Sequence, residues 1–230
     1  MGPSWWLYIT EGFRAAIDYF WGYLLMWLHP AGQWGRKRPV LVIPGFLTND
    51  LFTLVLRRFL IKAGYSVYGW EMGINVGNME RFSELNQRVL QLSQRHGQPV
   101  TLIGWSLGGI YAREIAKQHP QVVRQLITLG SPFADPNAPN FAVWVFNLFS
   151  DMNKLDAGWL AQLPVPAPVP TTAFYTRSDG IVSWQACREI QEDALHHNVE
   201  VRGSHWGLPA NRQVLRRVLA LLNASENASD

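Results

Sequence analysis

From residue 36 to residue 222 the apolar positions alternate between two spacings. Short runs rich in β-branched and aromatic residues at 40–43, 65–70, 100–103, 123–129, 172–175 and 198–201 have the length of strands. Between them, apolar residues recur every three or four positions over 50–62, 78–96, 107–119 and 208–222, the spacing of one buried helix face. Asp50 stands where it can cap the first of these helices, and Gly97 where a left-handed residue closes the second. Strands joined by helices of this length return by right-handed crossovers. Residues 35–222 therefore predict a three-layer α/β domain on a mostly parallel sheet.

Two stretches break the alternation. Residues 1–34 predict an amphipathic helical appendage: Ile9, Phe13, Ala16, Ile17, Phe20, Trp21, Leu24, Leu25 and Leu28 fall at helical spacing until Pro30 stops them. The unbroken apolar part, 19–28, is shorter than the ~20 residues a bilayer span takes. Glu11 and Asp18 ahead of it, with no small-x-small site behind it, speak against a secretory leader and favour a cytoplasmic or membrane-associated protein. Its apolar stripe must dock on the chain's own body, a second copy or a membrane surface, and Arg36-Lys37-Arg38 at its end suits anionic lipid.

The second stretch, 131–170, opens with Pro132, Pro136 and Pro139 and closes with Pro164, Pro166, Pro168 and Pro170. Its middle, 140–149, is apolar nearly all round, so it must be buried or must cover something apolar. Inserted after a strand's C-terminal end, it predicts a cap or lid over a site. The last residues, 223–230, are expected to fray as a flexible tail.

Composition sharpens this picture. Apolar residues make up 48% of the 230 and charged ones 16%, which predicts one well-filled core. The net charge of +3 is scattered apart from Arg36-Lys37-Arg38, which argues against a nucleic-acid partner. Cys187 is the single cysteine and is expected to pack in the core, and it leaves no disulfide and no cysteine-cluster zinc site. Of the 11 tryptophans, Trp5, Trp6, Trp21, Trp27 and Trp34 precede the first strand, whereas Trp105, Trp184 and Trp206 flank the candidate chemistry. Large rigid rings beside a site suggest a pocket for an apolar ligand.

That chemistry centres on Gly104-Trp105-Ser106-Leu107-Gly108, a G-x-S-x-G with a buried strand before it and a helix after it. This context places a serine on a sharp strand-to-helix turn with its hydroxyl exposed. Serine attacks only when a base takes its proton and a third group orients the base. Asp179, at a strand end before Gly180, and His205, in the glycine-flanked loop 202–207, follow in the order Ser, Asp, His expected for this fold. Pro44-Gly45-Phe46-Leu47 ends the first strand, so the N–H groups of Phe46 and Leu107 are the natural oxyanion donors. Trp105 and Trp206, with Phe141, Trp144, Val145 and Phe149 of the cap, are the candidate substrate-binding residues.

At these residues the chain resembles the α/β-hydrolase superfamily, in particular its small bacterial lipase- or esterase-like members. The carrying stretches are 42–47, Gly104-Trp105-Ser106-Leu107-Gly108-Gly109, Leu129-Gly130-Ser131-Pro132, Arg177-Ser178-Asp179-Gly180 and Gly203-Ser204-His205. The resemblance implies Ser106 as nucleophile, Asp179 as acid and His205 as base, with Phe46 and Leu107 at the oxyanion positions. The His-Gly common before a lipase's oxyanion residue is replaced by Pro44-Gly45. The expected activity is hydrolysis of carboxylic esters with apolar acyl groups, with no cofactor and no metal. An acyltransferase using an alcohol or amine, and a non-catalytic lipid-binding protein, are the alternatives. The expected partners are an apolar ester and, through the N-terminal helix, a second copy or a membrane surface.

Overall fold

The computed structural model describes residues 2–29, 31–32, 35–135, 138 and 161–227. Six strands, β1 (Pro39–Ile43), β2 (Ser66–Tyr68), β3 (Val100–Trp105), β4 (Val123–Leu129), β5 (Thr171–Tyr175) and β6 (His196–Glu200), form one sheet in the order β2-β1-β3-β4-β5-β6. Every pairing is parallel. The register sets Ile43 beside Gly104 and Trp105 beside Leu129, so the C-terminal ends of β1, β3 and β4 meet along one edge.

The continuous apolar reading of β1 follows from helices on both faces. Val40 and Val42 join one core with α1 (Trp5–Leu28), α2 (Leu54–Lys62) and α5 (Arg212–Asn227), through Met26, Phe59 and Leu215 among others. Leu41 and Ile43 join the opposite core with α3 (Met79–His96) and α4 (Leu107–Gln118), through Leu85 and Tyr111. The expected three-layer α/β architecture is the one observed.

Several boundaries differ from expectation. Asn78 caps α3 by accepting from the Arg81 N–H, and Gly97 closes it at φ 60°, as its sequence implies. Asp50 caps nothing: residues 51–53 form a turn, and its carboxylate accepts instead from the N–H groups of Trp70 (2.8 Å) and Glu71 (2.8 Å) beyond β2. The closing helix starts at Arg212, after a 3₁₀ turn at Leu208–Ala210, and runs on to Asn227 through part of the expected tail.

The N-terminal segment is helical over Trp5–Leu28 and lies on the body of its own chain, but not by its apolar stripe. Glu11, Ala15, Gly22 and Met26 form the buried face, while Phe13, Phe20 and Trp27 point outward. Gly22 is required there, since a side chain would strike the backbone of Ala210. Most of the expected cap, including Phe141, Trp144, Val145 and Phe149, lies outside the described residues, as does Trp34. Its C-terminal flank is anchored by Arg113 of α4, fully buried against Glu189 (Nη2 to Oε2 2.9 Å). Arg113 also donates to the carbonyls of Leu163 (3.2 Å) and Val165 (3.1 Å).

Candidate active site

Ser106 occupies the junction of β3 and α4 at φ 53° and ψ −120°. A serine at positive φ carries about 1–3 kcal/mol of strain, which the packing on either side must hold. That packing needs glycine on both flanks: a Cβ at 104 would strike the backbone of Gly108 and Gly109, and one at 108 would strike the carbonyls of Ile43 and Pro44. The close approach seats the half-buried hydroxyl over the C-terminal edge of the sheet.

The expected partners converge on it. His205 Nε2 stands 3.1 Å from Ser106 Oγ, and His205 Nδ1 stands 2.7 Å from Asp179 Oδ2. Asp179 is buried and oriented, because its Oδ1 accepts from the N–H groups of Ile181 and Val182 at 2.8 Å each. Burial opposes a charge on His205, but the Asp179 carboxylate and its hydrogen bond, with the Glu11 charge behind, hold the imidazole pKa above its ordinary value. Ser106, Asp179 and His205 thus form one hydrogen-bonded chain in which Asp179 and His205 are buried and Ser106 is half-buried.

The oxyanion candidates stand beside it. A Cβ on Gly45 would lie 3.2 Å from the Ser106 Cβ, so the loop after β1 runs directly against Ser106, with Phe46 next in line. Leu107 is the first residue of α4, where backbone N–H groups lack intrahelical acceptors. The loop is held by the buried Asn75: its Nδ2 donates to the Pro44 carbonyl (2.9 Å) and its own carbonyl accepts from Leu47 N–H (2.8 Å). No sequence signal marks Asn75 for this role, since it sits in a loop far from any motif.

Trp105 corrects an expectation. Its ring is buried in the core under the site, and its indole N–H donates to the His205 carbonyl (3.1 Å). It supports the histidine from below and does not line an open pocket. Trp206 stands half-exposed beside His205, where a ligand-facing ring was expected.

More consequential is a set of residues from α1 that no motif announced. Glu11 Oε1 accepts from the Trp206 N–H (2.9 Å), next to His205, and its Oε2 accepts from the Gly180 N–H (3.1 Å), next to Asp179. Arg14 donates to Glu11 (2.6 Å) and to the carbonyls of Ser178 (2.7 Å) and Gly203 (3.4 Å). Asp18 accepts from Ser204 through both its N–H (2.9 Å) and hydroxyl (2.8 Å), and from Asn211 Nδ2 (2.8 Å). One helix therefore clamps together the loops that carry Asp179 and His205. Gly180 and Gly207 leave room for it, since a Cβ at either would meet Glu11 or Asp18. The signal was present in outline: Glu11, Arg14 and Asp18, at spacings of three and four, share one face of an otherwise apolar helix.

Comparison with known proteins agrees with this architecture. A family model described as the alpha/beta hydrolase fold matches residues 65–164. The mature form of the lipase BlEst2 from Bacillus licheniformis superposes with a TM-score of 0.61 at 16% identity, covering 85% of this chain and 94% of that one. The monoacylglycerol lipase of Paleococcus ferrophilus gives 0.60 at 14% identity, covering 82% and 96%. A curated relative, the biotin biosynthesis bifunctional protein BioHC of Teredinibacter turnerae, is 39% identical over 51 residues. That match spans 22% of this chain and 9% of the relative's length. The protein has the α/β-hydrolase fold.

Proposed function

We propose that the protein is a serine hydrolase of carboxylic esters with apolar acyl groups. The observation that carries this reading is the Ser106–His205–Asp179 chain, with contacts of 3.1 and 2.7 Å, on a serine held at positive φ. Ser106 Oγ attacks the ester carbonyl carbon while its proton passes to His205 Nε2. The carbonyl oxygen becomes an oxyanion facing the N–H groups of Leu107 and Phe46, donors that each contribute about 2.7–4 kcal/mol where one has been removed. The C–O bond to the alcohol then breaks, and the departing alkoxide takes the proton from His205. Water repeats the sequence on the acyl-serine: it gives a proton to His205, releases the carboxylic acid, and the proton returns to Ser106. Asp179 keeps Nδ1 protonated, so that Nε2 is always the atom that exchanges. The fold shared with two lipases supports the reading, although at identities of 14–16% it speaks for the architecture alone.

The test is release of p-nitrophenol from short p-nitrophenyl esters by the wild type and by Ser106→Ala, with and without a competing alcohol. Hydrolysis lost in the variant is the expected result. A new ester formed in preference to acid assigns the site to acyl transfer, and turnover retained by Ser106→Ala overturns the mechanism.

A further inference from the structure

We infer that α1 docks this protein on a lipid surface bearing anionic headgroups, its outward face lying in the interface. The helix is turned inside out relative to one that covers its own core. Its three charged residues, Glu11, Arg14 and Asp18, bond into the body, and its outward positions carry no charge. Trp5 (67%), Trp6 (71%), Phe13 (72%), Phe20 (63%) and Trp27 (79%) stand exposed along it. At about 150–250 Å² per aromatic side chain, these five alone leave roughly 600 Å² of apolar surface in water, the upper end of what a monomer tolerates. The strip runs the full 24-residue helix, about 36 Å at 1.5 Å per residue.

Three features select lipid as the occupant. Tryptophan and tyrosine, which include Trp5, Trp6, Trp21, Tyr23 and Trp27 among the exposed positions, join an apolar ring to one polar atom and suit the headgroup boundary. Cations rim the strip: the Arg212 guanidinium lies 5.8 Å from the Trp21 ring centre, and Lys62 Nζ donates to the Met26 and Trp27 carbonyls at the helix end. With a net charge of +3, this rim complements anionic headgroups, whereas a second copy would set it against its own like charge. The apolar surface also continues to the site, because Tyr19 Oη donates to the Phe52 carbonyl (2.6 Å) and the exposed Leu51, Phe52 and Leu47 lead to the loop beside Ser106. Among the described residues no helix is long and apolar enough to cross a membrane, so the contact is interfacial.

Cosedimentation of the full chain with phosphatidylcholine vesicles, and with equimolar phosphatidylcholine and phosphatidylglycerol vesicles, tests this without any turnover, so its outcome is independent of the ester-hydrolase reading. Wild type should pellet with the anionic vesicles and bind neutral ones more weakly. Phe13→Glu/Phe20→Glu, checked as folded by its thermal unfolding, should bind about a hundredfold more weakly, roughly tenfold per apolar side chain. Wild type that stays in solution with both vesicles, or a variant that binds equally well, overturns the inference. So does a vesicle-insensitive dimer that the double variant splits, which assigns the face to a second copy. A monomer indifferent to vesicles, with tryptophan emission already shifted to the blue, assigns it to the chain's own residues 139–160. Equal binding to both vesicle types refutes the part given to the cationic rim.

Discussion

Replacing Glu11 by alanine tests whether α1 positions the loops of Asp179 and His205 for the proposed chemistry or merely decorates them. The substitution strips acceptors from the Trp206 and Gly180 N–H groups and a partner from Arg14. An orphaned buried N–H costs about 1–3 kcal/mol; the Gly180 N–H bears that in full and the part-buried Trp206 N–H a share of it. Against this, burial and then the nearby Asp179 charge hold the Glu11 pKa above its ordinary value despite the Trp206 N–H and the His205 and Arg14 charges that lower it, so losing the buried charge returns part of the cost. A net loss of about 2–4 kcal/mol, at about 2–4 °C per kcal/mol for a chain of this size, lowers Tm by roughly 5–15 °C. The kinetic consequence is sharper. His205 and Asp179 directly precede the two residues that Glu11 holds, Trp206 and Gly180, and misplacement by about 1 Å costs about 100-fold, so kcat/KM on a soluble ester should fall about 10–100-fold.

The acid limb of the pH profile gives a readout that a purely structural role would not move. The Glu11 charge helps raise the His205 pKa, and the base must be neutral to accept the Ser106 proton. Removing that charge lowers the His205 pKa, so the limb of kcat/KM shifts to lower pH in the variant. Glu11→Gln keeps the shape and one acceptor but turns an NH₂ group toward one N–H, so it should rescue part of Tm and kcat while leaving the limb shifted. A Glu11→Ala protein whose limb is unmoved and whose kcat/KM stays within about twofold of wild type would refute the positioning role, whatever its Tm.

Other outcomes follow from the same geometry. Asp179→Asn should lower kcat by about 10⁴-fold, the size seen when a triad acid loses control of the tautomer, with a near-normal Tm; a near-silent variant would place the acid elsewhere. Arg113→Met should cost about 3–5 kcal/mol in denaturant unfolding by leaving Glu189 buried without its partner, and Arg113→Met/Glu189→Leu should recover part of the loss; a single variant that loses less than about 1 kcal/mol removes the anchor. Cys187 is buried and its thiol is pushed well above its ordinary pKa by burial and then by the nearby Asp179 charge, so dithionitrobenzoate should label it only on unfolding; rapid labelling of native protein would contradict the burial.

The alternation of strand-like and helix-like runs was enough to read the layers and the parallel sheet, because buried parallel strands and amphipathic helices leave period-specific marks in any chain that forms them. The same holds for Ser106, Asp179 and His205: an elbow needs its glycines next to the serine, and strand ends are local features. The role of α1 was not local. Its apolar stripe announced a helix and invited the inference that the stripe faces inward, but helical periodicity gives the angle between faces and never says which face meets the protein. Only the tertiary structure settles that, through hydrogen bonds from Trp206 to Glu11 and from Ser204 to Asp18 that span more than 180 positions of sequence. The same limit hid Asn75 under the loop after β1 and put Trp105 beneath the histidine instead of before a ligand. Backbone donors and acceptors are common to every residue, so no spacing pattern can tell which side chain will be folded against them.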